Sequence, residues 1–110
     1  MGLVSLGKIT VASAGTPVQF SSTVLNCNAV YISTITGQSG QQMYIGVKSF
    51  VKATLVGVLK ILQKPIASTP VYLDNWVVQS NVAAGPIDLS TLYVDADTAN
   101  DAVLVSYLVL

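Results

Sequence analysis

The chain has no histidine, no arginine and no glutamate, and it carries a single cysteine. Each absence removes a class of chemistry. Without histidine there is no imidazole base, no Ser-His or Cys-His pair, and no zinc site built on histidine. Without arginine there is no bidentate clamp for phosphate or guanine. Lone Cys27 has no partner for an internal disulfide, and its residue type reads as a small buried hydrophobe rather than a reactive thiol. Charge of either sign is scarce: five lysines and five aspartates make 9% of the chain, against about 25% in ordinary globular domains. Five scattered lysines at zero net charge form no basic stripe, which argues against a nucleic-acid partner. No apolar run approaches the roughly 20 residues of a membrane helix, so no membrane partner is expected. The first residues, "MGLVSLGKITVASAG", lack the charged start and long apolar stretch of a secretory signal.

What remains is apolar and β-forming. The 110 residues, 52% of them hydrophobic, are the right length for one domain over 1–110 with a single core. A free monomer normally keeps roughly a quarter to a third of its surface residues charged. This chain lacks the charges to do so and suits a subunit whose surface is covered by neighbours.

Val, Ile, Thr, Tyr and Ser dominate the ordered-looking segments, and Gly, Pro, Asn and Ser clusters separate them. Strands are expected at about 8–13, 17–22, 29–35, 42–47, 53–62, 71–79 and 102–109. Pro17, Pro65, Pro70 and Pro86 fall at the borders of these segments, where a missing N–H does least harm. Lys48, Lys52, Lys60 and Lys64 are spaced four or eight apart, which raises a helical alternative for "FVKATLVGVLKILQK". On a strand they share one parity, and Val51, Ala53, Leu55, Gly57, Leu59 and Ile61 take the other face. The β-branched content and Gly57 favour strand. Seven or eight short strands at this spacing predict an all-β fold, an antiparallel β-sandwich or small jelly roll. The segment "GPIDLSTLYVDAD" reads as a short helical turn or irregular edge, with Asp88 placed as an N-cap before "LSTL".

The chain closes on "YVDADTANDAVLVSYLVL", which sets Asp95, Asp97 and Asp101 against a long apolar run. Three carboxylates in a row raise the prospect of a calcium loop, which needs about six to eight oxygen ligands. The stretch lacks an EF-hand's central glycine and terminal glutamate, and Asp, Asn and Thr make turns without metal. The favoured reading is a polar hairpin tip, with Asp95, Asp97 and Asp101 only weak metal candidates and no cofactor required. Nothing points to a catalytic pair, so no enzyme is expected. In the last strand both faces are apolar: Val103, Val105, Tyr107 and Val109 on one, Ala102, Leu104, Ser106, Leu108 and Leu110 on the other. Such a strand must be central and covered on both sides, or have its end covered by another chain. Trp76, Tyr107, Leu108, Val109 and Leu110 are the candidate interface residues, since aromatic and aliphatic anchors dominate binding energy.

Several segments together resemble small structural proteins encoded in tailed-bacteriophage genomes. They are "GKITVASAGTPVQFSS", "CNAVYIS", "YIGV", "VGVLKIL" and "IDLSTLYVDADTANDAVLVSYL", in that order along nearly the whole chain. The sequence reads "TANDAV" where such proteins lead one to expect a glycine-bearing turn. The resemblance implies a virion protein of β-sandwich or jelly-roll type that decorates or cements the icosahedral head. Its implied partners are the major capsid protein and itself, as a homodimer or homotrimer. Its implied place is the outer surface of the phage head, after assembly in the host cytoplasm. An alternative within the same setting is a tail or fibre component, or a host-surface module in which Trp76 and the tyrosines touch glycan.

Overall fold

The strands pair as nested hairpins. In a computed structural model that describes residues 2–35, 42–63, 74–80 and 85–109, ten strands follow one another. They are β1 (Gly2–Val11), β2 (Val18–Gln19), β3 (Asn26–Cys27), β4 (Ala29–Thr34), β5 (Gln42–Val51), β6 (Val56–Gln63), β7 (Asn75–Gln79), β8 (Ile87–Asp88), β9 (Tyr93–Ala96) and β10 (Asp101–Val109). First pairs with last and so on inward: β1 with β10, β2 with β9, β3 with β8, β4 with β7, β5 with β6, all antiparallel. Two further pairings, β10 with β4 and β5 with β9, roll this long double strand into two four-stranded sheets. The sheet orders are β1-β10-β4-β7 and β2-β9-β5-β6, with β3 and β8 as a small separate ribbon. That is jelly-roll connectivity, one of the ways an antiparallel protein limits its free edges.

Alternation within the strands places the core. Val30, Ile32 and Thr34 of β4 are buried, and the register sets Ile32 opposite Val105 and Thr34 opposite Val103 on the same face. Met43 and Ile45 of β5, Leu62 of β6, and Val94 and Ala96 of β9 supply the facing layer. Cys27, less than 2% exposed, packs in this core beside Leu89 and Leu92, as a small hydrophobe should. Burial pushes its thiol pKa up, which disfavours the reactive thiolate.

The all-β class is as expected; the strand count is ten because β3, β8 and β9 are two to four residues long. β1 starts six residues earlier than its sequence suggests, at Gly2, because Gly2 to Ser5 pair with the apolar end of β10. The expected strand over 53–62 is present from Val56 as β6, but its first three residues belong to the turn of a hairpin. Residues 52–55 turn the chain, with Val51 opposite Val56 and Leu55 at φ 62°. The turn "KATL" holds no Gly, Pro or Asn, so it leaves no composition signal. The predicted apolar face from Val51 to Ile61 therefore does not exist as one face, and Leu62 is the fully buried residue of β6. The expected strand starting at 71 is described only from Asn75, its first residues lying outside the described ones.

The β5–β6 hairpin also folds back on itself. Between the pairs Gly46–Val58 and Val51–Val56, residues 47–50 oppose only Gly57. Ser49 and Gly57 take positive φ (62° and 78°). In a straight strand Lys52 would lie about 26 Å from Tyr44, at roughly 3.3 Å per residue. Instead its Nζ stands 5.9 Å from the Tyr44 ring centre. The distal hairpin thus lies over the outer face of its own sheet, with Phe50 buried beneath the bend.

Candidate functional site

The aspartate turn joins the two sheets. β9 belongs with β2 and β5, whereas β10 belongs with β1 and β4, so residues 97–100 cross from one sheet to the other and do not close a hairpin. Nor is the turn uniformly solvated. Asp95 is 1% exposed and Asp101 2%, and only Asp97 stands at the surface. Alternation misled the expectation because the layer covering Asp95 comes from distant sequence, the loop after β1.

The carboxylates of Asp95 and Asp97 have separate structural tasks. Asp95 Oδ1 accepts the Gly15 N–H at 2.9 Å and the Ala96 N–H at 2.8 Å, tying the loop after β1 onto the outer face of β9. Asp97 Oδ1 lies 3.0 Å from Tyr44 Oη and 4.0 Å from Lys52 Nζ. Lys52 also donates to the carbonyl of Ala96. Tyr44 Oη lies 2.9 Å from Gln42 Oε1 as well. A phenol has one proton to donate, so both contacts are satisfied only if the Gln42 amide turns to donate and Asp97 accepts. Burial first, then the neighbouring Asp97, holds the Tyr44 hydroxyl above its usual pKa and keeps it protonated. Asp101 opens β10 opposite Val11, and Asn100, at φ 70°, donates its N–H to the Val11 carbonyl. Among the described residues no three His, Cys, Asp or Glu side chains converge to hold a metal. Asp95 and Asp97 hold the crossing through different partners, and Asp101 leaves it as the first residue of β10.

Asp88 caps a one-turn 3-10 helix at Leu89–Thr91, as its position before "LSTL" predicts. Its Oδ1 accepts from Ser90 N at 3.0 Å, Leu25 N at 3.1 Å and Ser90 Oγ at 2.8 Å. Ser90 and Leu25 N–H groups favour the ionised form and hold this carboxyl below its usual pKa. The unfolded chain titrates at the ordinary carboxylate value. The contribution is therefore complete above that value and is lost as pH falls through the lowered folded one. Melting temperatures recorded from about pH 5 to about pH 2 are expected to fall less steeply for Asp88→Asn than for the natural chain. Equal slopes would remove the assignment.

Beside Lys8, which stands opposite Leu104 on β1, the outer face of the β1-β10-β4-β7 sheet carries an uncharged surface over its other three strands. Across β10, β4 and β7 the register aligns Leu104 with Ser33 and Asn75, Ser106 with Tyr31 and Val77, and Leu108 with Ala29 and Gln79. None of these outward residues is charged at neutral pH, and Leu104 and Val77 are 48% and 44% exposed. A shallow groove of about 310 Å³ runs across it, lined by Tyr31, Ser33, Asn75, Val77, Leu104 and Ser106 together with Ile32 and Trp76. β10 is central in its sheet, and from Leu104 onward its outer face is partly open among the described residues.

Of the five candidate interface residues, Trp76 and Tyr107 pack against the core from the inner face. Leu108 lies on the outer face and Val109 at the exposed strand end, 39% accessible, while Leu110 lies outside the described residues. Sequence reasoning missed Tyr31 and Val77 as surface residues. Their parity against Val30, Ile32 and Val78 was the available signal. No protein-family model, curated protein or solved structure matches the chain. Fold and surface together define a jelly-roll protein with an uncharged area on one sheet and, among the described residues, no clustered metal ligands.

Proposed function

We propose that the chain is a structural virion protein, a decoration or cement protein of a phage head. In this reading it binds the major capsid protein on the outer surface of the shell as a homodimer or homotrimer, and carries out no catalysis. One observation carries the reading. Eleven large apolar side chains stand exposed among the described residues, whereas the whole chain has only ten charged ones. Exposed apolar side chains mark interaction sites where they cluster, as five of the eleven do on the β5–β6 hairpin, and docking them desolvates few ions. The jelly roll is a frequent architecture of capsid proteins, though the fold alone assigns no function. Repetition over a symmetric shell adds avidity to individually modest contacts.

Particles assembled with the protein are expected to release their genome at a higher temperature than particles lacking it. Identical release temperatures would sink the proposal. The groove beside Tyr31 favours a second reading, a tail or fibre component or a glycan-binding module. An aromatic ring flanked by Ser33, Ser106 and Asn75 offers a sugar both a flat apolar face and hydrogen-bonding groups. Copy number separates the two: hundreds per particle place it on the head, a dozen or fewer on the tail. Binding of the isolated protein to a glycan array supports the second.

A further inference from the structure

We infer that the β5–β6 hairpin, with the free edge of β6, is the surface that docks the partner protein, against an apolar patch bordered by carboxylates. The inference rests on the virion reading only for the partner's identity, the capsid shell. Five of the eleven exposed large apolar side chains lie on this one hairpin: Val47, Val51, Leu55, Val56 and Leu59, between 41% and 66% accessible. A groove of about 320 Å³ is lined by Leu55, Val58, Leu59 and Ile61, with the Lys60 ammonium belonging to the same lining.

Charge complementarity selects the occupant. Residues 42–63 hold three of the chain's five lysines and no carboxylate, and all five aspartates fall between 74 and 101. Lys52 is engaged by Asp97 and Ala96, which leaves the exposed Lys48 and Lys60 to face outward. Among the described residues β6 is the edge of its sheet. Its far end is capped, since the Gln63 N–H donates to Asp74 Oδ2 at 2.9 Å, but no such side-chain cap holds Leu59 or Ile61 among the described residues. A second copy pairing edge to edge would bring one Lys60 toward another, and lysine on an edge strand opposes self-pairing. A strand or ridge presenting apolar side chains and a carboxylate meets both features at once.

The test uses shells lacking the protein, reloaded with the natural chain, Leu59→Ser, Lys60→Glu and, as a control in the loop between β2 and β3, Val24→Ser, 70% exposed and in neither groove. All three positions are solvent-exposed, so folding is checked by melting temperature and expected to be unchanged. Leu59→Ser and Lys60→Glu are each expected to weaken shell binding about ten-fold or more, since one well-buried apolar side chain is worth about that much. Lys60→Glu should also flatten the salt dependence, while Val24→Ser binds as the natural chain does. Natural-strength binding by both hairpin variants would overturn the docking surface and leave the virion reading intact. Failure of the natural chain itself to bind shells would overturn both. Lys60-dependent binding to vesicles of anionic lipid, or Lys60-dependent self-association, would overturn the assignment in favour of those occupants.

Discussion

Gly46→Ala is expected to destabilise the protein by at least about 3 kcal/mol, the upper part of the range for forcing atoms into a packed interior. A Cβ at Gly46 would sit 2.6 Å from the Phe50 ring and 2.7 Å from the Gly57 carbonyl oxygen. The ring has no free space to enter, being only 4% exposed, and the carbonyl is backbone. For a domain of this size that loss lowers the melting temperature by more than about 12 °C. Adding Phe50→Ala removes one of the two collisions. The double variant should therefore be less unstable than the sum of the singles, by an interaction energy of about 1 kcal/mol or more. Strict additivity, or a Gly46→Ala protein that melts with the natural chain, would mean that the hairpin does not bend at this point. The bend matters beyond stability. It brings Lys52 over Tyr44 and turns Val51, Leu55 and Val56 outward, so its loss is also expected to weaken any docking through the hairpin.

Asp95→Ala carries the second large effect, a loss of about 2–3 kcal/mol, as the buried Ala96 N–H loses this acceptor and the Gly15 N–H its tie to β9. Asp95→Asn keeps an oxygen for Gly15 and Ala96 and is expected to cost only about 1 kcal/mol. The contrast between the two substitutions, read by denaturant unfolding, separates a structural carboxylate from a metal ligand. A structural acceptor tolerates the amide. A charge-dependent ion site does not, and would show a calcium-dependent rise in melting temperature that Asp95→Asn abolishes. Equal, large losses in both variants would contradict the role of Asp95 as a hydrogen-bond acceptor for the two N–H groups.

Local pattern carried much of the architecture. Alternation in "AVYIST" and "AVLVSYLV" marks β4 and the last strand, and Asp88 announces its own cap just ahead of a turn bearing a buried leucine. These features depend on backbone preferences and on nearest neighbours, which a linear reading contains. The bend in the β5–β6 hairpin was not legible in the same way. Gly46 and Gly57 stand on the two strands of one hairpin and become meaningful only when Phe50 is laid across both. Likewise Asp95 reads as solvated until the loop after β1 arrives, eighty residues away in sequence, to bury it.

Composition and periodicity by themselves therefore determined the β class, the scarcity of charge and the absence of histidine and arginine chemistry. Tertiary structure decided the nested pairing, which face of the central strand stays open, and the separate tasks of Asp95 and Asp97. The reason is physical: strand formation and side-chain parity are set by residues a few positions apart. Pairing, register and burial are set by whichever distant segment supplies the other half of the hydrogen bonds and the core.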